Sequence, residues 1–185
     1  MRIIAGELKG RTFHSPSGHK THPMSEKMRG AIFNMLGDIE GLTVFDAFAG
    51  SGALAFEALS RGAKSALCTD ITKEAYDVMT DNVRHLDLKH CKVVRANASG
   101  WSDNNVHAVF DLLFLDPPYD DVQENLLNKL IKHVKTSGIY ILSWPAEREL
   151  PSLEGVELLQ SKEYGDGTLH FYRRLSTKNR DIMVL

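Results

Sequence analysis

Val44-Phe45-Asp46-Ala47-Phe48-Ala49-Gly50-Ser51-Gly52 runs from an apolar stretch through an acid into a glycine-rich turn. Residues 53–61 beyond it are good helix formers, stopped by Gly62. The pattern is a strand, a tight turn and the opening of a helix. Glycines in such a turn take positive φ and let a ligand approach the backbone closely. The same alternation continues outward. Strands are predicted at Leu42–Phe45, Ser65–Cys68, Cys91–Arg95, Val109–Leu115 and Gly138–Ser143. Helices are predicted over 53–61, over 72–86 with Thr72 as N-cap, and over 121–135. Ser25 to Leu36 carries Met28, Ile32, Met35 and Leu36 at helical spacing behind Ser25 as N-cap. Antiparallel strands are expected near 156–163 and 168–174. Residues 1–21, with Gly6, Gly10, Pro16 and Gly18, predict a short hairpin and a loop.

Strands alternating with helices imply right-handed crossovers and a mainly parallel α/β sheet, here of seven strands, with helices on both faces. Ligands of such sheets bind beyond the carboxyl ends of the strands. Asp46–Gly52 and Asp116–Tyr119 both lie at such ends, so they are expected to share one crevice. No linker breaks the chain, and residues 1–24 are taken as an N-terminal appendage to a single domain. With 43% hydrophobic and 25% charged residues, intrinsic disorder and fibrous repeats are excluded. Cys68 and Cys91 are too few for a disulfide or zinc framework, and no metal is expected. Both are read as core residues. The apolar runs are too short to span a bilayer and the N-terminus lacks a signal-peptide pattern, so a soluble cytoplasmic protein is expected.

The glycine turn carries two possible ligands. Gly50-x-Gly52-x-x-Ala55, with Asp70 about 20 residues on, satisfies a loose dinucleotide pattern. Two acids favour S-adenosyl-L-methionine over NAD. Asp46, just before the turn, suits an ammonium and would repel a pyrophosphate. Asp70 ends the next strand, where its two oxygens suit a pair of ribose hydroxyls. A tight turn with incidental acids is the bland alternative.

Asp116-Pro117-Pro118-Tyr119 follows the apolar run Leu112–Leu115. Two prolines fix the backbone and leave carbonyls without local donors. A carboxylate, a free carbonyl and an aromatic ring on one rigid corner suit methylation of an exocyclic amine, whose lone pair is delocalised into its ring. Hydrogen bonds from both N–H groups to Asp116 and the Pro117 carbonyl would aim that lone pair, and Tyr119 would stack on the base. A strand-ending turn is the alternative. An NAD enzyme would leave this corner unexplained.

The charge is uneven. The whole chain has 22 basic and 24 acidic residues, a net −2. Residues 1–30 hold six basic residues, Arg2, Lys9, Arg11, Lys20, Lys27 and Arg29, against two acids, Glu7 and Glu26. Such a segment suits phosphate contact at one edge, or is a solvated arm. Arg173, Arg174, Lys178 and Arg180 form a basic tail, read as a solvated terminus with RNA contact as the alternative.

Over nearly its whole length the chain resembles the bacterial 16S ribosomal RNA (guanine-N2) methyltransferases of the RsmD type, within the class I methyltransferases. The resemblance rests on Arg2-Ile3-Ile4-Ala5-Gly6, Lys9-Gly10-Arg11, Met28-Arg29, Ile32-Phe33-Asn34, Asp46–Leu54, Glu57–Ala63, Asp116–Tyr119 and Tyr164-Gly165-Asp166. It departs from the family's pattern at His22-Pro23-Met24, at Gly30 and at Asn97, where an acid is usual; the usual glutamate after the fifth strand is matched to Glu147. The resemblance implies a Rossmann-like class I fold. It implies methyl transfer from S-adenosyl-L-methionine to guanine N2 of small-subunit ribosomal RNA, in an assembled or partly assembled particle, by a monomer. The implied cofactor residues are Asp46, Phe48, Ala49, Gly50, Ser51, Gly52, Asp70, Ile71, Asn97, Ala98 and Asp116. Asp116, Pro117, Pro118 and Tyr119 are implied to be catalytic, and Arg2, Lys9, Arg11, His22, Lys27 and Arg29 to hold RNA. A DNA adenine-N6 or other amine methyltransferase, and a non-catalytic RNA-binding assembly factor, are the competing readings.

Overall fold

The computed structural model describes residues 1–17, 24–118, 124–165 and 167–176. The described elements run α1 (Glu26–Leu36), β1 (Thr43–Asp46), α2 (Ala53–Ser60), β2 (Ser65–Asp70), α3 (Lys73–His85), β3 (Cys91–Arg95), α4 (Ala98–Asn104), β4 (Phe110–Leu115), α5 (Glu124–Ile131), β5 (Val134–Pro145), β6 (Val156–Tyr164) and β7 (Gly167–Arg174). The strands form one sheet in the order β3-β2-β1-β4-β5-β7-β6. β1 pairs in parallel with both β2 and β4, and β4 with β5, while β7 runs antiparallel between β5 and β6. The chain therefore winds outward from β1 to β3 and then returns to β1's other side. The strand order reverses between β1 and β4.

Alternation along the strands fills two cores. Val44, Cys68, Phe114, Ile141 and Phe171 face one side, with Ile32 and Phe33 of α1, Phe56 of α2 and Met79 of α3. Phe45, Leu113, Leu142 and Trp144 face the other, with Trp101 of α4 and Leu127 and Leu130 of α5. Among the described residues no helix is long and apolar enough to cross a membrane.

Three elements differ from expectation. α4 was not expected, because ASGWSDN is poor in helix formers. It forms because the Asn97 side chain caps it, accepting from Ser99 N–H at 2.8 Å, and because Trp101 packs on Phe45 at 4.4 Å between ring centroids. The predicted helix 121–135 ends at Ile131, and β5 starts at Val134 rather than Gly138. His133 is the pivot. Its ring Nδ1 lies 2.7 Å from the Ala108 carbonyl, so Nδ1 carries the hydrogen and Nε2 accepts from Ser102 Oγ at 2.8 Å. Burial lowers the pKa of this ring, keeping it neutral.

The N-terminal pair is bonded to itself and to the domain. Arg2 and Thr12 form an antiparallel bridge, and Gly10 N–H donates to Ile3 C=O at 2.9 Å. Ile3 and Phe13 are buried in the first core, with Phe13 edge-on to Phe56 at 5.4 Å. Three polar side chains of the domain clamp it. Glu57 accepts from Ile4 N–H at 2.8 Å and Ala5 N–H at 3.0 Å. Ser60 Oγ donates to Ala5 C=O at 2.6 Å and accepts from Leu8 N–H at 2.9 Å. Asn82 exchanges two bonds with the His14 backbone at 2.8 and 2.9 Å. Gly6, at φ 83°, lies where a Cβ would come within 1.8 Å of the Ser60 carbonyl oxygen, so only glycine fits.

Glu57 is also the counter-ion of Arg61 at 2.8 Å and of the fully buried Arg29 at 3.7 Å. Glu57→Ala strands a buried guanidinium and two backbone donors. It is expected to lower stability by about 3–5 kcal/mol in urea titration, with the amides of residues 3–8 losing hydrogen-exchange protection first.

Candidate active site

β1 ends on Asp46 and β4 ends just before Asp116, and the two strands are paired with Asp46 opposite Phe114. The strand order reverses between them, so the two acids open onto one crevice, as the sequence predicts. Ala47 N–H reaches across to Phe114 C=O at 3.2 Å and locks the junction.

The glycine turn follows. Gly50 and Gly52 have φ of 52° and 80°. A Cβ on Gly52 would fall 2.4 Å from the Phe56 ring, whereas one on Gly50 would meet open space. Gly52 is thus needed for packing, and Gly50 leaves its backbone open to a ligand. Asp70 ties the turn down. Its Oδ2 accepts from Gly50 N–H at 3.0 Å, and its Oδ1 accepts from Thr72 N–H and Oγ1, both at 2.9 Å. Ala49 N–H donates to Thr69 C=O at 3.0 Å. Phe48 is half-buried against the second core, and Ser51 is buried.

Asp46 is 1% exposed and its Oδ1 has no hydrogen-bond partner. Burial, reinforced by the neighbouring charge of Asp116, pushes its pKa up to about 8, against the pull of the Ala55 and Phe48 N–H groups. A buried carboxylate oxygen without a partner is costly, and a cation entering the crevice would satisfy it. Asp116 is half-buried and its pKa is also raised by desolvation, opposed by a hydrogen bond from Ser143 of β5. Pro117 is buried and Pro118 exposed. Ile71, at the lip beyond β2, is 60% exposed and presents an apolar side chain. Asn97 is exposed beyond β3, with Oδ1 occupied in capping α4 and buried Ala98 beside it. The acids, the glycine turn and this apolar lip all lie along the carboxyl edge of the sheet. The arrangement can hold a cation against Asp46 and accept amine hydrogens at Asp116.

The basic residues do not form one free patch. Arg29 corrects the sequence reading: it is 0% exposed, its Nη2 donates to Arg2 C=O at 2.7 Å, and it cannot reach an RNA phosphate. Arg2 is exposed but forks onto Glu26 at 2.9–3.0 Å. Arg11 donates to the His85 and Leu86 carbonyls at the end of α3, at 2.7 and 3.2 Å. Lys9 and Lys27 are exposed. At the other terminus, Arg174 is not solvated as expected, since it donates to Lys132 C=O at 2.7 Å and to Val134 C=O. His22, Tyr119, Asp166, Lys178 and Arg180 lie outside the described residues. Nothing in the local sequence pattern assigns a role to Ser143 or Glu57. A lone acid inside the apolar run ALAFEALS was the available signal for Glu57.

Residues 1–173 match the family described as conserved hypothetical protein 95. YlbH of Bacillus subtilis is 34% identical over 186 residues, covering 94% of this chain and 99% of that one. The ribosomal RNA small subunit methyltransferase D of Escherichia coli strain K12 is 30% identical over 155 residues, covering 83% of this chain and 74% of that one. The solved structure of the Escherichia coli protein yhhF superposes with a TM-score of 0.87 at 27% identity, covering 96% of this chain and 99% of that one.

Asp46 offers a test independent of any ligand. Its folded pKa of about 8 lies far above the usual 3.8, so the folded protein keeps a proton that the unfolded chain loses. Stability therefore falls as pH rises from about 4 toward 8. Asp46→Asn is expected to stabilise the unliganded protein by more than about 1 kcal/mol at pH 8.5 and by less at pH 5, measured by urea unfolding at both.

Proposed function

The chain belongs to the conserved hypothetical protein 95 family, that of ribosomal RNA small subunit methyltransferase D, and on that premise we propose that it methylates the exocyclic N2 of a guanine in small-subunit ribosomal RNA. S-adenosyl-L-methionine is the methyl donor. The observation that carries the reading is the buried Asp46 oxygen without a partner, set between a glycine turn and the Asp116-Pro117 corner. It supports a cationic cofactor there. Asp46 would hold the cofactor's ammonium, Asp70 its ribose hydroxyls through the lone pairs its turn bonds leave, and Ile71, Phe48 and the Asn97-Ala98 edge its purine. The Gly50 backbone, open to approach, would lie beneath it. When bound, the cofactor supplies a methyl group made electrophilic by its sulfonium.

The chain's own part is positioning and charge. Asp116 and the Pro117 carbonyl accept the two N–H bonds of the target amine, which turns the nitrogen lone pair out of the base plane. Ser143, by donating to Asp116, favours its charged, accepting form and fixes its direction. After transfer the excess proton leaves the nitrogen for a carboxylate oxygen of Asp116. The exposed Lys9 and Lys27 supply phosphate contacts at the N-terminal edge, which position RNA without reading its sequence. The same reading puts the protein in the cytoplasm, acting as a monomer on an assembled or partly assembled small subunit.

The test is transfer of labelled methyl to small subunits, free ribosomal RNA, subunit proteins and duplex DNA, followed by nucleoside analysis. Label in N2-methylguanosine is expected. Label in N6-methyladenine of DNA, or no label despite cofactor binding, overturns the reading. Asp116→Ala is expected to cut turnover by at least about 100-fold, with cofactor affinity by calorimetry close to wild type. Lys9→Glu with Lys27→Glu is expected to weaken subunit binding by about tenfold at low salt and to flatten its salt dependence, again with cofactor affinity unchanged.

A further inference from the structure

The carboxyl ends of β2 and β3 lie side by side, with Asp70 in register with Arg95. In the reading above this is the purine end of the crevice. Which donors and acceptors remain unengaged there decides what part of a purine can be read.

The acceptors of Asp70, Ile71 and Asn97 already have donors. Asp70 C=O accepts from Ala96 N–H at 2.9 Å. The Asp70 carboxylate accepts from the Gly50 and Thr72 N–H groups and the Thr72 hydroxyl. Ile71 C=O accepts from Arg95 Nε at 3.3 Å. Asn97 C=O accepts from Trp101 N–H at 2.8 Å. Asn97 Oδ1 accepts twice, from Ser99 N–H at 2.8 Å and from Gly100 N–H at 3.4 Å.

Those last two bonds fix the amide. Two N–H donors can face only the oxygen of an Asn side chain, so Nδ2 is turned away from them. Asn97 is exposed, and its Nδ2 has no partner among the described residues. Arg95 is in a similar state. Its Nε is engaged by Ile71, and its two Nη groups have no partner among the described residues. The unengaged side-chain polar groups of these residues are therefore donors. Beside them stands the 60% exposed apolar side chain of Ile71.

A purine offers the two kinds of group in different places. Its ring nitrogens accept, and the 6-amino group of adenine donates. An edge whose free groups are donors can bond the ring nitrogens and leaves the amino group to water. We propose that Asn97 reads the cofactor's purine, its Nδ2 donating to a ring nitrogen, and that the 6-amino group carries little of the affinity. The inference deepens the methyltransferase reading and rests on it. Arg95 contributes by keeping the Ile71 carbonyl engaged. A carboxylate at position 97 would face Ser99 and Gly100 with one oxygen and offer the other as an acceptor, which inverts the preference.

The test is calorimetric binding of S-adenosyl-L-homocysteine, which has the cofactor's purine without its methyl group, against its 6-desamino, 1-deaza, 3-deaza and 7-deaza analogues. Wild-type protein is expected to bind the 6-desamino analogue within about threefold of the parent, and at least one deaza analogue about tenfold more weakly. Asn97→Asp keeps an oxygen toward Ser99 and Gly100, so folding is little affected. In that variant the 6-desamino analogue is expected to bind about tenfold more weakly than the parent, and the deaza penalty to shrink below about threefold. A wild-type loss of about tenfold or more on removing the amino group, parent affinity for all three deaza analogues, or an unchanged pattern in Asn97→Asp overturns the proposal while leaving the methyltransferase reading in place. Failure of the wild-type protein to bind S-adenosyl-L-homocysteine overturns both.

Discussion

Glu57 stands in the middle of α2, fully buried, and the N-terminal segment, α1 and α2 meet on its two carboxylate oxygens. A charge in that position is tolerable only because Arg29, Arg61 and two backbone N–H groups surround it. The consequence reaches beyond stability. α2 is the helix that the glycine turn opens, and Phe56, one residue before Glu57, is the ring that packs against Gly52. Fixing α2 against α1 and the first eight residues therefore fixes the floor of the crevice. The N-terminal pair is a structural brace for the site as well as a candidate RNA edge.

The crevice itself gathers like charges. Asp46 ends β1 and Asp116 follows β4, each partly or wholly withdrawn from water, and burial with the neighbouring charge of Asp116 raises the cost of ionising Asp46. In an unliganded protein this is an unfavourable arrangement, relieved by holding a proton. A cation beside Asp46 reverses the balance, so the crevice favours a positively charged ligand. Asp70 adds its charge to the same cluster, and its oxygens are engaged by the Gly50 and Thr72 N–H groups and the Thr72 hydroxyl. Its first duty is to shape the turn.

Much of this is legible in the sequence. The strand–turn–helix at residues 44–61, the alternation that followed it and the pairing of Asp46 with Asp116 in one crevice follow from local patterns and from the rule for parallel sheets. α4 was not legible, since a helix of Ser, Gly, Asn and Asp has no propensity to announce it and depends on Trp101 finding Phe45. The early end of α5 and the length of β5 depend on His133, whose two ring bonds come from residues 25 and 31 positions away.

The charges depart furthest from the sequence pattern, and the reason is physical. A sequence shows how many cations a segment carries but not which anions and carbonyls will face them. By itself it determined the fold class, the glycine turn and the chemistry-bearing acids, because hydrophobic period and turn residues act over a few neighbours. Only the tertiary structure decided that Arg29 is spent on Glu57, Arg2 on Glu26 and Arg11 on the end of α3. It alone brought Ser143 to Asp116 and left one oxygen of Asp46 without a partner. Desolvation and long-range pairing are properties of the packed chain, and no local pattern encodes them.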